Sequence, residues 1–134
     1  MSFVVFADSG CNLPQRKLKE LDIQVVPFAY ELDGELITCP KYPDGFDGKS
    51  YYDRLRQCAV VKTSLINSEG FYHAFRPHVE AGKDILYVGI SSGITGTVGA
   101  ANLALRQLLE EFPERSMLVV YSLDAGVGTG MLTC

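Results

Sequence analysis

The chain has 134 residues, a length that fits one domain with its own hydrophobic core. It carries 12 Lys and Arg against 16 Asp and Glu and has no basic run, so nucleic acid is not an expected partner. The four cysteines and two histidines match no zinc-binding spacing, which predicts free thiols and no metal site.

The chain begins with a short apolar run. Phe3–Ala7 has the length and the β-branched content of a strand that is buried on both faces. No positively charged region precedes this run, and no later run approaches the ~18 residues that span a bilayer, so we expect a cytoplasmic protein without a transmembrane segment. After the strand, Pro14 suits the first turn of a short helix that runs to Leu21.

The segment Ile23–Thr38 has the pattern of a β-hairpin. Asp33 and Gly34 lie between two half-apolar arms, as in a two-residue hairpin turn. Pro27 predicts an edge or a bend inside the first arm. Residues Cys39–Gly48 are then expected to form an ordered surface loop.

The rest of the chain alternates helices and strands. Helical patterns cover Gly48–Cys58 and Ser68–Ala81, and Pro77 should kink or shorten the second helix. Two apolar runs, Ile85–Ile90 and Met117–Tyr121, predict further strands buried on both faces.

The clearest helix is expected to begin near Thr97 and to end at Pro113. Repeated strand–loop–helix units with one added hairpin predict an α/β domain, in which a mainly parallel β-sheet is flanked by helices. Ligands of such sheets bind beyond the carboxyl ends of the strands. Two loops are candidates there.

The first candidate loop contains the spelling G-x-S-x-G at residues 89–93. This motif raises the hypothesis of a serine hydrolase or acyltransferase that uses Ser91 or Ser92 as nucleophile. Against it, His73 and His78 both precede the serine in the chain, and the helix begins about four residues too late for a nucleophile elbow. The loop also lacks the G-K-[ST] ending of a phosphate-binding loop.

Both candidate loops carry hydroxyl groups ahead of a helix. The first offers Ser92 and Thr95, and the second, VKTSLINSEG, offers Thr63 and Ser64. Together with the free N–H groups and the positive dipole end of a helix, such hydroxyls suit an oxyanion. The alternative is that they only cap helices and complete turns.

Five segments carry a recognisable set of motifs in chain order. They are ADSGCNLP (7–14), YYDRL (51–55), VKTSLINSEGF (61–71), ISSGITGTVGAAN (90–102) and VVYSLDAGVGTG (119–130). Together they resemble the DegV family over nearly the whole chain. The sequence departs from the family pattern at Asn12, Val61, Leu65, Ile66 and Tyr121.

The resemblance implies a bacterial cytoplasmic protein that binds a long-chain fatty acid such as palmitate, with no catalytic residue and no other cofactor. In some members the protein presents the carboxylate to a fatty acid kinase. Matching motif positions place the carboxylate at Thr63 and Thr95, and we add Ser64 and Ser92 from the same loops. Family members carry a second α/β domain, so residues 1–134 are expected to be the DegV-like N-terminal domain, without the C-terminal one.

Without a second domain, the chain should expose the face that this domain would cover. We place that face around Leu65, Ile66, Ile94 and Val98 and predict a symmetric homodimer that buries it. The chain should also bind fatty acid more weakly than a two-domain relative. If the second domain forms half of the binding site, the alternative is that the chain folds stably but no longer binds lipid.

Overall fold

The computed structural model describes residues 2–57 and 59–134, and these residues form an α/β fold with two sheets. The strands, in chain order, are β1 (Phe3–Asp8), β2 (Gln24–Val26), β3 (Ala29–Leu32), β4 (Glu35–Thr38), β5 (Val61–Ser64), β6 (Asp84–Gly89) and β7 (Met117–Tyr121). The α-helices are α1 (Gln15–Glu20), α2 (Gly48–Arg56), α3 (Ser68–Glu80), α4 (Thr97–Glu111) and α5 (Val127–Thr133). Short 3-10 turns occur at Ser9–Cys11 and Pro43–Gly45.

The larger sheet is fully parallel, with the strand order β2-β1-β6-β7. Its two central strands, β1 and β6, are the apolar runs that the sequence marks most clearly. Helices α3 and α4 pack on one face, where Phe71, Phe75 and Leu108 are fully buried together with Tyr87 of β6. The predicted class, a mainly parallel sheet flanked by helices with an added hairpin, is confirmed.

The smaller sheet contains a hairpin at Ala29–Thr38, the later part of the predicted segment, and one further strand. The prediction is wrong for the start of that segment, because Gln24–Val26 pairs in parallel with β1 as β2. Asp33 and Gly34 join β3 to β4 with positive φ angles of 53° and 85°, as a two-residue turn of this kind requires. Pro27 separates β2 from β3, in line with the predicted bend. The prediction of a loop at residues 61–64 is wrong, because this segment pairs with β3 as β5; its side chains are mostly exposed, so no apolar alternation marks it.

Four of the described helices agree with the sequence prediction. Helix α4 begins at Thr97 as expected, and α3 continues to Glu80, so Pro77 does not shorten it. Helix α2 ends at Arg56, and Cys58 lies outside the described residues. Helix α5 is not predicted, because its glycines have low helix propensity. Within the described residues, no helix combines the length and the apolar character needed to cross a bilayer.

The expectation that all three apolar runs are buried on both faces is wrong for β7. This strand lies at the edge of the sheet, and its Leu118 and Val120 side chains are 65% and 40% exposed. The two side chains point to the face opposite α4, since Met117 and Val119 pack against the main core. That face of the sheet is therefore only partly covered.

The prediction of an exposed face for self-association around Leu65, Ile66, Ile94 and Val98 is also wrong. Leu65 and Ile94 are exposed, but Ile66 and Val98 are buried in the main core. Val98 lies on the apolar stripe of α4, and Ile66 packs against the core just before α3 begins. The four side chains therefore do not form one exposed apolar face.

Candidate ligand-binding groove

A groove of about 610 Å³ lies between the smaller sheet and the loop that follows β6. This volume falls within the range of pockets that hold small organic ligands. Most of its wall is apolar or aromatic and comes from separate parts of the chain, including Phe28, Tyr30, Phe46, Tyr51 and Ile90.

Three of the four predicted ligand residues line this groove. Thr63 and Ser64 come from β5, and Thr95 comes from the loop before α4. The antiparallel register places Thr63 directly opposite Tyr30 of β3. Ser92 is exposed and is not among the described residues that line the groove. Two hydroxyl-bearing segments that are distant in sequence therefore meet at one groove.

The hydroxyl groups at the groove differ in whether they already donate a hydrogen bond within the protein. Ser64 Oγ donates to the carbonyl oxygen of Ala29 at 3.1 Å, which links β5 to β3. Thr63 makes no side-chain hydrogen bond to another described residue, and its side chain is exposed. Thr63 thus has a donor to offer to a ligand, whereas Ser64 supports the strand pairing.

Thr95 is oriented by a buried neighbour. Its Oγ1 accepts a hydrogen bond from the backbone N–H of Thr97 at 3.3 Å and lies 2.8 Å from the Thr97 Oγ1. Thr97 is fully buried at the first turn of α4. When the Thr97 hydroxyl donates to Thr95, the proton of Thr95 is left for a group in the groove.

Ser91 has a structural role in the same loop. Its carbonyl oxygen accepts from the N–H groups of Ile94 and Thr95, and its Oγ accepts from the N–H of Gly93 at 3.2 Å. Its own N–H donates to the carbonyl of Asp124 at 2.8 Å. These bonds fix the path of the loop.

Neither histidine supports the use of Ser91 as a nucleophile. His73 lies on the exposed side of α3, with Nε2 3.7 Å from a carboxylate oxygen of Glu69. His78 packs its ring against Phe6, with 5.2 Å between centroids. Among the described residues neither histidine is hydrogen-bonded to Ser91, whereas a general base must lie within hydrogen-bond reach of the nucleophile.

A buried carboxylate anchors two loops at the groove. Asp8, at the end of β1, accepts from the Tyr87 hydroxyl at 2.8 Å and from the N–H groups of Gly10 and Ile90 at 2.9 and 3.3 Å. Burial raises the pKa of the Asp8 carboxyl, with these three donors acting in the opposite direction. Burial, with the Asp8 charge adding to it, also raises the pKa of Tyr87.

Ser9 extends this anchor to the other wall. Its Oγ accepts from the N–H of Phe28 at 3.0 Å. Asp8 and Ser9 therefore hold Ile90 and Phe28, two residues of the groove from different elements. The sequence shows these residues within the ADSG motif but gives no sign of this role.

Metal ligands are not gathered in this region. Among the described residues, no group of three or more His, Cys, Asp or Glu side chains is placed to hold a metal ion. The polar side chains that line the groove carry hydroxyls and one thiol, that of Cys39, and the hydroxyls suit an organic anion with a long apolar part.

Comparison with known sequences identifies relatives over the full length of the chain. The model of the DegV family of uncharacterised proteins matches residues 2–134. A DegV domain-containing protein of Clostridium perfringens is 34% identical, over 97% of this chain and 44% of the relative. A DegV domain-containing protein of Lactococcus lactis is 31% identical, over 98% of this chain and 45% of the relative.

Solved structures show the same fold. A DegV family protein from Thermus thermophilus, described as fatty-acid-binding, superposes with a TM-score of 0.84 at 29% identity, over 99% of this chain and 45% of that protein. A stearic acid-binding protein from Eubacterium ventriosum gives a TM-score of 0.85 at 26% identity, over 97% and 44%. The chain spans less than half the length of these relatives. By its sequence over residues 2–134 and by its fold, the chain belongs to the DegV family.

Proposed function

We propose that the groove binds a long-chain fatty acid, with the carboxylate at Thr63 and Thr95 and the acyl chain along the aromatic wall. One observation carries this proposal: hydroxyls from two separate elements meet in a groove that is otherwise mostly apolar. The fatty-acid-binding relatives from Thermus thermophilus and Eubacterium ventriosum, at 29% and 26% identity, support it.

The two parts of the ligand contribute differently. An acyl chain of about sixteen carbons buries roughly 400 Å², which is worth on the order of 10 kcal/mol before the costs of association. A hydroxyl donor to a carboxylate adds roughly 1.5–3 kcal/mol. Affinity therefore comes mainly from burial of the acyl chain, while Thr63 and Thr95 determine the orientation of the ligand in the groove. Palmitate fits this proposal as a ligand of representative length.

The hydroxyls are not equal in the proposed site. Thr63 has a proton to donate to the carboxylate, and Thr95 has one when the Thr97 hydroxyl donates to it, whereas Ser64 donates to the backbone of β3. Ser92 lies outside the described lining of the groove. We therefore keep Thr63 and Thr95 as the principal ligands, with Ser64 supporting them and Ser92 at most at the rim.

We further propose that the chain is a cytoplasmic carrier that does not catalyse a reaction. Residues 1–134 would form one α/β domain equivalent to the matching part of its longer relatives. The family resemblance suggests a fatty acid kinase as the protein that receives the bound carboxylate. In support of the carrier proposal, the Ser91 Oγ accepts from the N–H of Gly93, and among the described residues neither histidine is hydrogen-bonded to it.

Two measurements on the purified chain test this function. Mass spectrometry of extracted lipid should detect a long-chain fatty acid at close to one equivalent per chain. A fluorophosphonate probe, which labels activated serines, should leave the protein unmodified. Labelling that disappears in Ser91→Ala, together with an absence of bound acid, would instead support the hydrolase.

A further inference from the structure

Among the described residues, Phe46 is the one that lines both the groove and two neighbouring cavities. It lines the groove of about 610 Å³, a cavity of about 300 Å³ beside Ser9 and Tyr42, and another of about 320 Å³ beside Leu32 and Ile37. The Phe46 side chain is therefore a shared wall of three adjoining spaces.

The ring of Phe46 is 42% exposed and packs against Tyr51. Its centroid lies 5.4 Å from that of Tyr51, with the two planes inclined by 58°. Its backbone is held more firmly, because its N–H donates to Pro43 and its carbonyl accepts from Gly48, both at 3.0 Å. Phe46 therefore has a fixed backbone and a partly exposed ring. It forms part of the wall of the groove and is not part of the core.

Phe46 also lies at the far end of an aromatic path. Thr63, the proposed carboxylate ligand, is directly opposite Tyr30. The Tyr30 ring is 5.5 Å from the Tyr51 ring, and the Tyr51 ring is 5.4 Å from Phe46. An acyl chain that starts at Thr63 and follows these rings reaches Phe46.

We propose that Phe46 determines the length of acyl chain that the groove accepts. This inference rests on the proposed fatty acid function. The ring closes the groove where it meets the two neighbouring cavities, so methylene groups beyond it stay in water. A smaller side chain at this position joins the three spaces, and those methylene groups are then buried.

The test compares affinities for palmitic and arachidic acid, whose chains differ by four methylene groups. Phe46→Ala should improve the ratio of arachidic to palmitic affinity by about tenfold or more over the unsubstituted chain, the effect of burying about two further methylene groups. Tyr52→Ala is the matched control. Its ring also contacts Tyr51, at 5.2 Å, but Tyr52 does not line the groove. It should keep the original ratio. Isothermal titration calorimetry gives both affinities.

Circular dichroism shows whether Phe46→Ala is folded. Two further variants test the inference if it is not. Phe46→Leu should shift the ratio in the same direction as Phe46→Ala, and Phe46→Trp should shift it toward the shorter acid. An unchanged ratio in folded Phe46 variants overturns the inference while leaving the proposed function intact. If the unsubstituted chain binds neither acid, both the function and the inference are overturned.

Discussion

At the scale of single residues, Thr63 and Thr95 carry the proposed recognition of the carboxylate. We expect Thr63→Val and Thr95→Val each to weaken fatty acid binding by about tenfold or more, since each removes a donor to a charged group worth roughly 1.5–3 kcal/mol. Titration calorimetry measures the change. Thr38→Val is the matched control, because Thr38 is an exposed threonine of β4 outside the groove. Unchanged affinity in both groove variants would place the carboxylate elsewhere.

The hydroxyl-bearing segments that line the groove could be predicted from the sequence, but its aromatic wall could not. Thr63 and Thr95 stand in hydroxyl-rich segments before helices, a pattern that is visible without a structure. Tyr30, Phe46 and Tyr51 come from a strand, a loop and a helix, and only the packing of these elements brings their rings together. The spacing of these three residues in the sequence does not indicate that their rings lie together.

The burial of Asp8 predicts that the free energy of unfolding depends on pH, with a definite sign. Because burial raises its folded-state pKa above the unfolded value, the folded state holds this proton more tightly. Its contribution to stability is therefore present in acid and is lost as the pH rises through the folded pKa. From about pH 4 to about pH 7, the free energy of unfolding should fall relative to that of Asp8→Asn, measured by urea denaturation. Parallel pH profiles would show that the Asp8 pKa is not raised.

At the scale of elements, the predictable parts are those with a strong internal pattern. Strands β1 and β6 are continuous apolar runs, and α4 has a long apolar stripe, so local sequence is sufficient for them. Strand β5 forms because β3 pairs with it, and its own residues are mostly exposed. Helix α5 forms despite its glycines, because it packs on the 3-10 turn after β1. Both missed elements depend on tertiary contacts.

The glycine at position 130 explains how α5 docks so closely. A Cβ at Gly130 would collide with the backbone carbonyl of Cys11 and approach Leu13 at 3.1 Å. Gly130→Ala should therefore lower the free energy of unfolding by about 1–3 kcal/mol, because backbone must move. Gly99→Ala in α4 meets no atom within 4 Å and should raise it by about 0.5–1 kcal/mol. Equal effects of the two changes in urea denaturation would contradict this packing.

At the scale of the whole molecule, one sheet face is left with apolar groups in water. The register aligns Val5, Leu86 and Leu118 in a row across β1, β6 and β7; Val5 and Leu86 are half-buried, whereas Leu118 and the neighbouring Phe3 are 65% and 62% exposed. Parallel sheets usually have both faces covered. This face replaces the one around Leu65 and Ile94 as the expected surface for self-association.

We predict a symmetric homodimer that buries this sheet face. Sedimentation velocity at tens of micromolar should show a dimer, and Leu118→Lys should dissociate it, because a charge in an apolar interface is strongly unfavourable. Leu103→Lys, at a similarly exposed site on α4, should leave it intact. A monomer before substitution, or equal effects of the two lysines, would contradict the prediction.

The smaller sheet has almost no core of its own. Of the side chains of β3, β4 and β5, only that of Leu32 is fully buried. Segments with few buried apolar contacts open locally at a free energy below that of global unfolding. A bound acyl chain would act as a shared core, joining this sheet to the loop after β6. The ligand would thus complete the fold that holds it, and the amide hydrogens of the smaller sheet would exchange slowly with solvent only while the groove is filled.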